Sequence, residues 1–567
     1  MVNNQLSPAV TAFEDDQTGV PTAVSTIGCA YAGVFTKGPI EQFVTVTSVS
    51  ELEQVFGKPN AKNRTDFLLC SQFLRRSQNL KVLRINQSSL ANATSDGNGI
   101  SVIKNKNDYD QNYVNGEGSF GSWVCKTAGN WGNSLKVSVC PADSTAFTGW
   151  NYASLFAGQP TTSPYVSARS GSLDELHIVV IDEDGGITGT PNTVLEKYAF
   201  VSQASDAKNA DETETNYYKT IINQRSRYIY WGDHPTALTD AGSVAASTSF
   251  TVTTTSIDSS LSGGISVDTG TIAEYLTGFQ LFSNTEEVNF DIMFTPALPN
   301  GTDGTTLANN LIAIAEQRKD FTLCISPPIE DTVGTTTPRT DVIEFANSLT
   351  SSSYAVCDTT AVKVFDRYND DGSQSGGSYV WIPASANYAA NIAFSTQESD
   401  IAYAPAGSRR GIFLGVTEIA YNPSITDRDV LFPARLNPVV FKGGKGIYSL
   451  GDRTLINRDS VFDQVAVRRV FIYLRKSISQ YAEDYLFEKN NDASRIVFKA
   501  GLRPFLDANV KDEIIEGYTL DLPISSDPNE FIVNIRIAPI NSIRFITLNF
   551  VAVRNTRSLV FTESVGG

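Results

Sequence analysis

The sequence predicts a multidomain protein of mixed α/β and α+β class. At 567 residues the chain is longer than one hydrophobic core usually supports, so we expect about two to four domains. Strand and helix patterns alternate over residues 278–385, which is typical of a parallel sheet built from crossover units. The end of the chain instead predicts two helices followed by two strands, an α+β arrangement.

The N-terminal part of the chain combines an arm with the beginning of an α/β core. Residues 1–22 are polar and interrupted by prolines, so we expect an extended arm. Ser50 is the predicted N-cap of the first helix, because Gln54 lies one turn further on. The elements predicted within residues 23–86 are a strand at 27–35, this short helix, a helix at 66–76 and a strand at 81–85.

The middle of the chain combines a β-rich insertion with α/β patterning. Residues 87–175 are rich in Gly, Ser, Thr, Asn and Tyr, which indicates an inserted β-rich domain. Residues 176–385 are assigned to an α/β domain with a Ser- and Thr-rich surface insertion at 236–276, and residues 386–456 complete the core. The elements predicted in this domain include a helix beginning near Thr193, strands at 291–295, 321–326 and 354–357, and helices at 307–319 and 341–349.

The C-terminal part has the strongest helical pattern in the chain. Apolar residues recur over 467–486 at the spacing of one helix face, so we predict a long amphipathic helix. Basic residues fall off this stripe and are predicted to lie on the polar side of the helix. The C-terminal domain is assigned to residues 457–554, with a second helix at 494–510, strands at 531–537 and 543–553, and a polar tail at 555–567.

Charge excludes one large class of function. The net charge of −17 argues against general binding to nucleic acid. Residues 401–567 hold 21 Lys and Arg against 18 Asp and Glu, a net of +3, whereas the first 400 residues hold 23 against 43, a net of −20. This asymmetry suggests two surfaces with different neighbours, although acidic loops that only keep a large protein soluble are the simpler explanation.

The sequence predicts neither a membrane anchor nor a disulfide framework. It has no stretch of about 18 apolar residues, so no transmembrane helix is expected. The N-terminus lacks the basic start and apolar core of a signal peptide, which predicts synthesis and folding in a cytoplasm. The six cysteines are scattered, mostly in apolar runs, so we predict buried free thiols, with disulfides formed after release from the cell as the alternative.

No residue pattern predicts catalysis. The two histidines, His177 and His234, have no Ser or Cys nucleophile motif nearby and are predicted to be structural. Asp182 and Asp184 have the spacing of a calcium loop, but the later ligand positions do not match, so a turn is predicted. Residues 442–446 lack the Ser or Thr of a phosphate loop and also predict a turn. We therefore assign no catalytic, cofactor-binding or metal-binding residue and expect no enzyme activity.

Short motifs follow one another in a fixed order along the chain. They are Ser7-Pro8-Ala9-Val10, Gly38-Pro39, Thr47-Ser48, Glu51-Leu52, Phe56-Gly57, Ala404-Pro405-Ala406-Gly407, Arg410-Gly411, Leu436-Asn437-Pro438 and Gly451-Asp452-Arg453-Thr454. Each motif is weak alone. Their order, with the C-terminal runs RRVFIYLRKSISQYAEDYLFEKNN and FIVNIRIAPINSIRFITLNFVAVR, resembles the contractile-tail sheath proteins of T4-like myoviruses. The resemblance covers the chain except about 100–175 and 236–276.

The resemblance implies a structural function. A sheath protein polymerises helically around a tail tube and contracts, which drives the tube through the host envelope during genome delivery. One domain of this family is described as subtilisin-like in fold, which does not imply protease activity. The sheath of a related, tailocin-like injection machine is the near alternative. A cytoplasmic α/β enzyme or an adhesin is the distant one.

The resemblance also implies partners and contact residues. The expected partners are copies of the chain itself, a tail tube protein, and baseplate and tail terminator proteins, with no nucleic acid and no membrane insertion. The expected location is the virion, after assembly in the host cytoplasm. Both terminal arms are expected to join neighbouring C-terminal domains by strand addition. The arm residues are Ser7, Pro8, Val10, Phe13, Arg557, Leu559, Val560 and Phe561, and the tube-facing candidates are Arg468, Arg469, Arg475 and Lys476.

For each basic candidate there is a simpler alternative. The side chain could only solvate the long helix, or pair with Glu483 or Asp484 on the same helix.

Overall fold

The computed structural model describes residues 27–97, 102–116, 118–368, 378–542 and 544, and these form several sheets. The strands are, in chain order, β1 (Cys29–Gly33), β2 (Phe43–Val46), β3 (Leu80–Arg84), β4 (Trp123–Cys125), β5 (Leu135–Pro141), β6 (Glu175–Asp182), β7 (Thr193–Ser202), β8 (Ile229–Trp231), β9 (Ile257–Ser260), β10 (Ile292–Phe294), β11 (Thr322–Ile325), β12 (Ala355–Asp358), β13 (Ala361–Asp366), β14 (Ser378–Pro383), β15 (Val416–Ile419), β16 (Leu436–Asn437), β17 (Val439–Lys442), β18 (Gly446–Ser449), β19 (Ile515–Asp521) and β20 (Asn534–Pro539).

The helices lie between these strands and at the C-terminal end. The α-helices are α1 (Val49–Phe56), α2 (Arg64–Leu74), α3 (Lys106–Asn112), α4 (Ser144–Thr148), α5 (Pro164–Ser167), α6 (Tyr218–Arg225), α7 (Ile272–Gln280), α8 (Thr302–Arg318), α9 (Pro338–Ser348), α10 (Ser385–Glu398), α11 (Gly407–Arg410), α12 (Ile425–Leu431), α13 (Val465–Glu483) and α14 (Asp492–Lys511). Short 3-10 helices occupy Asn130–Ser134, Ala153–Leu155, Leu281–Ser283, Ile329–Asp331 and Val461–Asp463.

The largest sheet is mostly parallel and collects strands from three distant parts of the chain. Its order is β16-β12-β11-β10-β1-β3-β2, and every neighbouring pair is parallel except β2 with β3. Every residue of β1, β11 and β12 is buried, as expected for a sheet covered on both faces. The parallel α/β order predicted for residues 278–385 is confirmed by β10, α8, β11, α9 and β12.

A separate antiparallel sheet interrupts the parallel sheet along the chain, between β3 and β10. Its order is β7-β6-β5-β9. β6 pairs with β5 along almost its whole length, so the domain boundary predicted between residues 175 and 176 falls inside a paired strand. β9 comes from the Ser- and Thr-rich segment 236–276, which also buries Phe250 and Leu261. That segment is therefore built into the antiparallel sheet and is not only a surface insertion.

The helix predicted to begin near Thr193 is wrong, because this stretch is strand β7. The helix-favouring Leu195, Glu196 and Lys197 suggested a helix. The flanking β-branched and aromatic residues favour a strand, and pairing with β6 outweighs the local helical preference.

The predicted cap of the first helix is also wrong by two residues. Ser48, not Ser50, precedes α1 in an extended conformation, and its hydroxyl accepts a hydrogen bond from the backbone N–H of Glu51 at 3.2 Å. The carboxylate of Glu51 accepts in turn from the backbone N–H of Thr47 at 2.8 Å. Ser50 lies inside the first turn of the helix, where its side chain cannot satisfy the free N–H groups at the helix start.

The C-terminal part contains both predicted helices, α13 and α14, and an antiparallel pair of strands, β19 and β20. β20 confirms the strand predicted at 531–537, with its start shifted by three residues. β19 was not predicted, because Gly517 and its charged neighbours weaken the strand pattern, and the pairing register shifts at this glycine. The strand predicted at 543–553 lies almost entirely outside the described residues.

Candidate interaction surfaces

Two of the four basic candidates on the long helix lie inside the subunit. The guanidinium of Arg468 lies between two aromatic rings, 4.4 Å from the ring centre of Tyr354 and 3.6 Å from that of Phe462. Its Nη1 donates to the hydroxyl of Tyr354 at 3.3 Å. The residue is only 9% exposed, and burial lowers its pKa. The aromatic rings and the hydroxyl therefore take the place of solvent around this charge.

Arg469 is held by the neighbouring helix α10. Its guanidinium donates to the hydroxyl of Ser395 at 3.2 Å, to the backbone carbonyl of Ile392 at 3.3 Å and to the hydroxyl of Thr396. Burial lowers the pKa of Arg469 to about 10, and the nearby carboxylate of Asp452 opposes that shift. This arginine therefore connects α13 to the helix beside it and offers no charge to an outside partner.

Lys476 and Arg475 differ in their exposure. The ammonium of Lys476 lies 2.7 Å from the carboxylate of Asp291 and donates to the carbonyl of Phe290 at 2.8 Å. Arg475 is exposed, and its Nη1 lies 3.5 Å from the carbonyl of Lys319. In the described residues, none of the four forms the alternative pairing with Glu483 or Asp484.

The sequence placed Arg468 and Arg469 on the polar side of α13 because a helical wheel assumes one buried face. α13 instead contacts α14 on one side and α10 with Tyr354 on another. Nothing in the sequence around these two arginines indicated the contact with α10 and Tyr354.

Several of the weak sequence motifs meet at one place, between the parallel sheet and α13. The side chain of Asn437 accepts from the backbone N–H of Arg453 at 2.7 Å and donates to its carbonyl at 2.8 Å. The same amide donates to the carbonyl of Cys357 in β12 at 3.0 Å. Asn437 thus pairs with the backbone of the Gly451-Asp452-Arg453-Thr454 motif as another strand would. We call this region, formed by residues 432–438, 451–454 and 462–464, the joint.

The joint holds a cluster of two guanidinium groups, one carboxylate and one aromatic ring. Arg544 donates to Asp463 through both terminal nitrogens, at 3.0 and 3.2 Å. Arg453 lies 3.8 Å from the same carboxylate and donates to the carbonyl of Phe432 at 3.0 Å. Both guanidinium groups lie over the ring of Phe432, at 4.9 Å for Arg453 and 5.6 Å for Arg544. Two-pronged pairing of this kind fixes orientation as well as distance.

A cleft of about 870 Å³ opens beside the joint. Its walls include Ala404, Ala406 and Gly407 of one sequence motif, Gly451 and Asp452 of another, and the segment 540–542. Burial raises the pKa of Asp452 to about 7, against the lowering effect of Arg544 and Arg469. Residues from two motifs that are far apart in the sequence therefore line the same cleft.

The predicted arm residues lie outside the described residues. They are Ser7, Pro8, Val10, Phe13, Arg557, Leu559, Val560 and Phe561.

The side chains considered for chemistry have structural contacts. The ring of His177 stacks on Phe156 at 4.1 Å, and its two nitrogens contact the carbonyl of Gly158 at 2.9 Å and the N–H of Phe200 at 3.1 Å. His234 contacts the hydroxyl of Tyr218 at 2.5 Å. Burial lowers the pKa of both histidines. These contacts agree with the predicted structural role.

The other predicted turns and thiols can be placed as well. Residues 443–445 form the turn between β17 and β18, which confirms the turn predicted at 442–446. All six cysteines are buried and free, as predicted, and burial raises their pKa.

The described ranges lack both a metal-binding cluster and a membrane-spanning helix. Within them, no cluster of His, Cys, Asp and Glu has the makings of a metal site. No helix in the same ranges combines the length and apolar character needed to cross a membrane.

Comparison with known proteins shows that the chain is similar to phage tail sheath proteins. Residues 457–552 match the phage tail sheath C-terminal domain. The tail sheath protein of Salmonella phage ViI is 27% identical over 648 aligned positions, covering 99% of this chain and 98% of that protein. The tail sheath protein of Enterobacteria phage T4 is 30% identical over 312 positions, covering 52% of this chain and 46% of that protein.

Solved structures show the same fold at low sequence identity. A sheath tail protein from Listeria innocua superposes with a TM-score of 0.55 at 12% identity, covering 93% of this chain and 94% of that one. The helical sheath of the anti-feeding prophage in its contracted state gives a TM-score of 0.50 at 11% identity, covering 97% and 99%. The mixed α/β multidomain class predicted from the sequence is confirmed by these likenesses and by the sheets described above.

Proposed function

We propose, because this chain is a homologue of the phage tail sheath proteins, that it is the repeating subunit of a contractile sheath. The observation that carries the proposal is the end-to-end match to the sheath protein of a phage. The subunits polymerise helically around a tail tube, and contraction drives the tube through the host envelope during genome delivery. The energy comes from contacts between subunits that form on contraction, so no nucleotide is consumed.

Polymerisation proceeds through the terminal arms. A contact that joins different surfaces of identical subunits and does not close on itself generates a helical tube. Among the described residues, β19 and β20 pair only with each other, so each presents an outer edge to which another strand can be added. The arms, with Ser7, Pro8, Val10 and Phe13 at one end and residues 557–561 at the other, add to these edges on neighbouring subunits.

The domains have different positions in the tube. Residues 457–554 form the inner domain. Residues 87–175 belong to an acidic outer part, which also includes the other strands of their antiparallel sheet, as far along the chain as β9. The core consists of residues 23–86, of residues 386–456, and of the part of 176–385 that lies outside the antiparallel sheet. The arms are residues 1–22 and 555–567. The core has a subtilisin-like arrangement without protease activity. Its mostly parallel sheet with buried central strands supports this assignment.

The inner domain contacts the tail tube, and the baseplate and tail terminator proteins contact the two ends of the sheath. Of the four basic candidates, Arg475 has the exposure that tube contact requires. Arg468, Arg469 and Lys476 could reach a tube only after their present contacts open. The subunits assemble in the host cytoplasm and remain in the virion. A tailocin-like machine would use the same subunit without a capsid.

The test is removal of the N-terminal arm. A variant that begins at Gln17 should remain a folded monomer and form no tubes, whereas the full chain forms hollow striated tubes when concentrated. Negative-stain microscopy measures the tubes, and circular dichroism checks the fold. Normal tubes from the shortened chain would contradict the arm model. A small oligomer of fixed size from the full chain, together with ligand binding, would favour an enzyme.

A further inference from the structure

The turn between α13 and α14 presents apolar side chains to solvent. Phe487 is fully exposed, and Leu486 beside it is more than half exposed. Ile496 and Val497, near the start of α14, are also more than half exposed. Four exposed apolar side chains at one end of a helix pair are typical of an interaction site. We call these four residues the knob.

Neither packing nor backbone preference explains a phenylalanine at position 487. Its backbone has a φ of 71°, in the left-handed region that large side chains rarely adopt. Because the ring is fully exposed, it contributes little to the stability of its own subunit. A residue that strains the backbone and buries nothing is typical of a functional surface.

The knob stands on a fixed base. The hydroxyls of Tyr481 and Tyr485 are 2.7 Å apart, and the ring of Tyr485 packs edge-on against Phe498 at 4.9 Å. After the turn, the side chain of Asn490 donates to two carbonyls in the loop before β20, at 2.8 and 3.1 Å. Residues on both sides of the turn are therefore held, so the knob loses less conformational freedom when it binds.

A cavity of about 250 Å³ lies between the core and α13. Its apolar walls are Tyr473 and several isoleucines, among them Ile392, Ile401, Ile472 and Ile514. Ile401, Tyr473 and Ile514 are only half-buried, so the cavity reaches the surface. A cavity of about 150 Å³ with aliphatic walls admits benzene, so this one has room for a phenyl ring. We call it the junction cavity.

The knob is surrounded by acidic residues. The turn and the helix end before it carry Glu483, Asp484 and Glu488 against Lys489, three acids and one base, a net of −2. All four side chains are exposed. In the part of the chain that the structure describes, none of the three carboxylates forms an ion pair. An acidic rim around an apolar centre favours a partner with the opposite arrangement of charge.

The junction cavity has basic residues on one side. The charged residues that line it balance each other, since they are two aspartates, one arginine and one lysine. Two further cations stand beside it with no carboxylate partner in the described ranges. Arg475 precedes Lys476 of the cavity wall, and its Nη1 lies 3.5 Å from the carbonyl of Lys319. Burial lowers the pKa of Lys81, and the nearby carboxylate of Asp291 opposes that shift. The side formed by α13 and β3 is therefore basic.

A subunit cannot fill its own junction cavity with its own knob. Lys476 lines the cavity, and α13 continues for seven residues to Glu483. At a rise of about 1.5 Å per residue, Glu483 lies about 10 Å further along the helix axis, and Phe487 follows beyond the helix end. The two surfaces thus occupy different places on one subunit, as a contact between unlike surfaces of identical copies requires.

We propose that Phe487 of one copy of the chain inserts into the junction cavity of a second copy, with the acidic turn facing Arg475 and Lys81. A contact between unlike surfaces repeats from copy to copy and generates a filament unless it closes into a ring. It supplies one step between neighbours in a sheath, and in that role it rests on the proposed function. The knob and the cavity are themselves properties of the single subunit.

The first experiment measures whether a second copy covers the cavity. Ile401→Cys places a thiol in the cavity wall, and the six native cysteines are buried, so a maleimide reagent labels the introduced thiol. The labelling rate is followed in the full chain, alone and with a large excess of the parent chain. We expect the excess to slow labelling severalfold and dilution to restore it. Slow labelling at every concentration would overturn the proposal, because the subunit would then cover its own cavity.

Phe487→Ala tests the knob in the same measurement. An excess of this variant should leave the labelling fast, because loss of a buried phenyl ring weakens binding by about tenfold or more. Ile524→Ala is the matched control, since it removes another strongly exposed apolar side chain from the same domain. An excess of the control should slow labelling as the parent does. Equal protection by Phe487→Ala and the parent would overturn the contact, and loss of protection with Ile524→Ala would overturn its specificity.

The second experiment measures association of the full chain without labels. Phe487→Ala should need about tenfold more protein than the parent to associate, measured by sedimentation, whereas Ile524→Ala should behave like the parent. Circular dichroism checks that each variant is folded. Unfolding of Phe487→Ala would also overturn the proposal, because the ring would then be needed by its own subunit.

The two experiments separate this contact from the proposed function. If the parent forms tubes and Phe487→Ala forms them at the same protein concentration, the contact is overturned and the sheath proposal stands. If a second copy protects the cavity but the parent forms no tubes under any condition, the sheath proposal fails and the contact stands.

Discussion

Arg469 shows what a charged side chain does when it is buried. It is 5% exposed and keeps its charge at neutral pH, since its pKa falls only to about 10. The hydroxyl and carbonyl oxygens of α10 replace the water that it has lost. A residue of this kind is costly to replace, because its removal leaves buried acceptors without a donor.

We expect Arg469→Met to lower the free energy of unfolding by about 3 kcal/mol, measured by urea denaturation. Arg475→Met is the control on the same helix, and it should change that energy by less than about 0.5 kcal/mol because Arg475 is exposed. Equal effects of the two substitutions would show that the contacts with α10 contribute nothing specific.

Predictions for single residues failed where a residue contacts a part of the chain that is distant in sequence, because the local pattern does not indicate such contacts. Arg468 and Arg469 lie off the apolar stripe of their helix, and contacts with distant residues such as Tyr354 and Ser395 bury them. The joint was equally hidden, because Phe432, Asp463 and Arg544 are far apart in the sequence. The motifs marked some of its residues, but no local pattern could bring them together.

At the scale of elements, the start of α1 depends on one hydroxyl. Ser48→Ala should lower the free energy of unfolding by about 1 kcal/mol, because the N–H of Glu51 loses its acceptor. Ser50→Ala, two residues on and also exposed, should change it by a few tenths of a kcal/mol at most. Chemical denaturation of both variants checks the assignment, and a larger effect at Ser50 would restore the cap predicted from the sequence.

Elements were predictable where local pattern and tertiary contacts agree. The succession β10, α8, β11, α9 and β12 has short apolar strands and amphipathic helices, and each was predicted within a few residues. β7 and β19 failed, since pairing with another strand decides their conformation and their own residues do not. The Ser- and Thr-rich segment was predicted to be a surface insertion, but the pairing of its strand β9 with β5 makes it part of a sheet.

At the scale of the whole molecule, charge opposes assembly. In the proposed sheath, the net charge of −17 makes neighbouring subunits repel each other, and salt screens such repulsion over a Debye length of about 10 Å at 0.1 M. We therefore expect tubes to form at lower protein concentration when sodium chloride is raised from about 50 mM to about 500 mM. Sedimentation with microscopy measures this threshold. Dissolution of tubes by salt would instead show that attractive ion pairs between subunits dominate.

The strand order of the large sheet has a consequence for how the protein is made. β1 has β3 on one side and β10 on the other, yet β3 ends at residue 84 and β10 begins at residue 292. At a bacterial synthesis rate of about 5–20 residues per second, the ribosome needs about 10–40 seconds to supply the missing partner. During that interval the fully buried β1 has one open edge on a nascent chain. The antiparallel insertion, complete by residue 260, emerges within the same interval and can fold before the sheet that it interrupts.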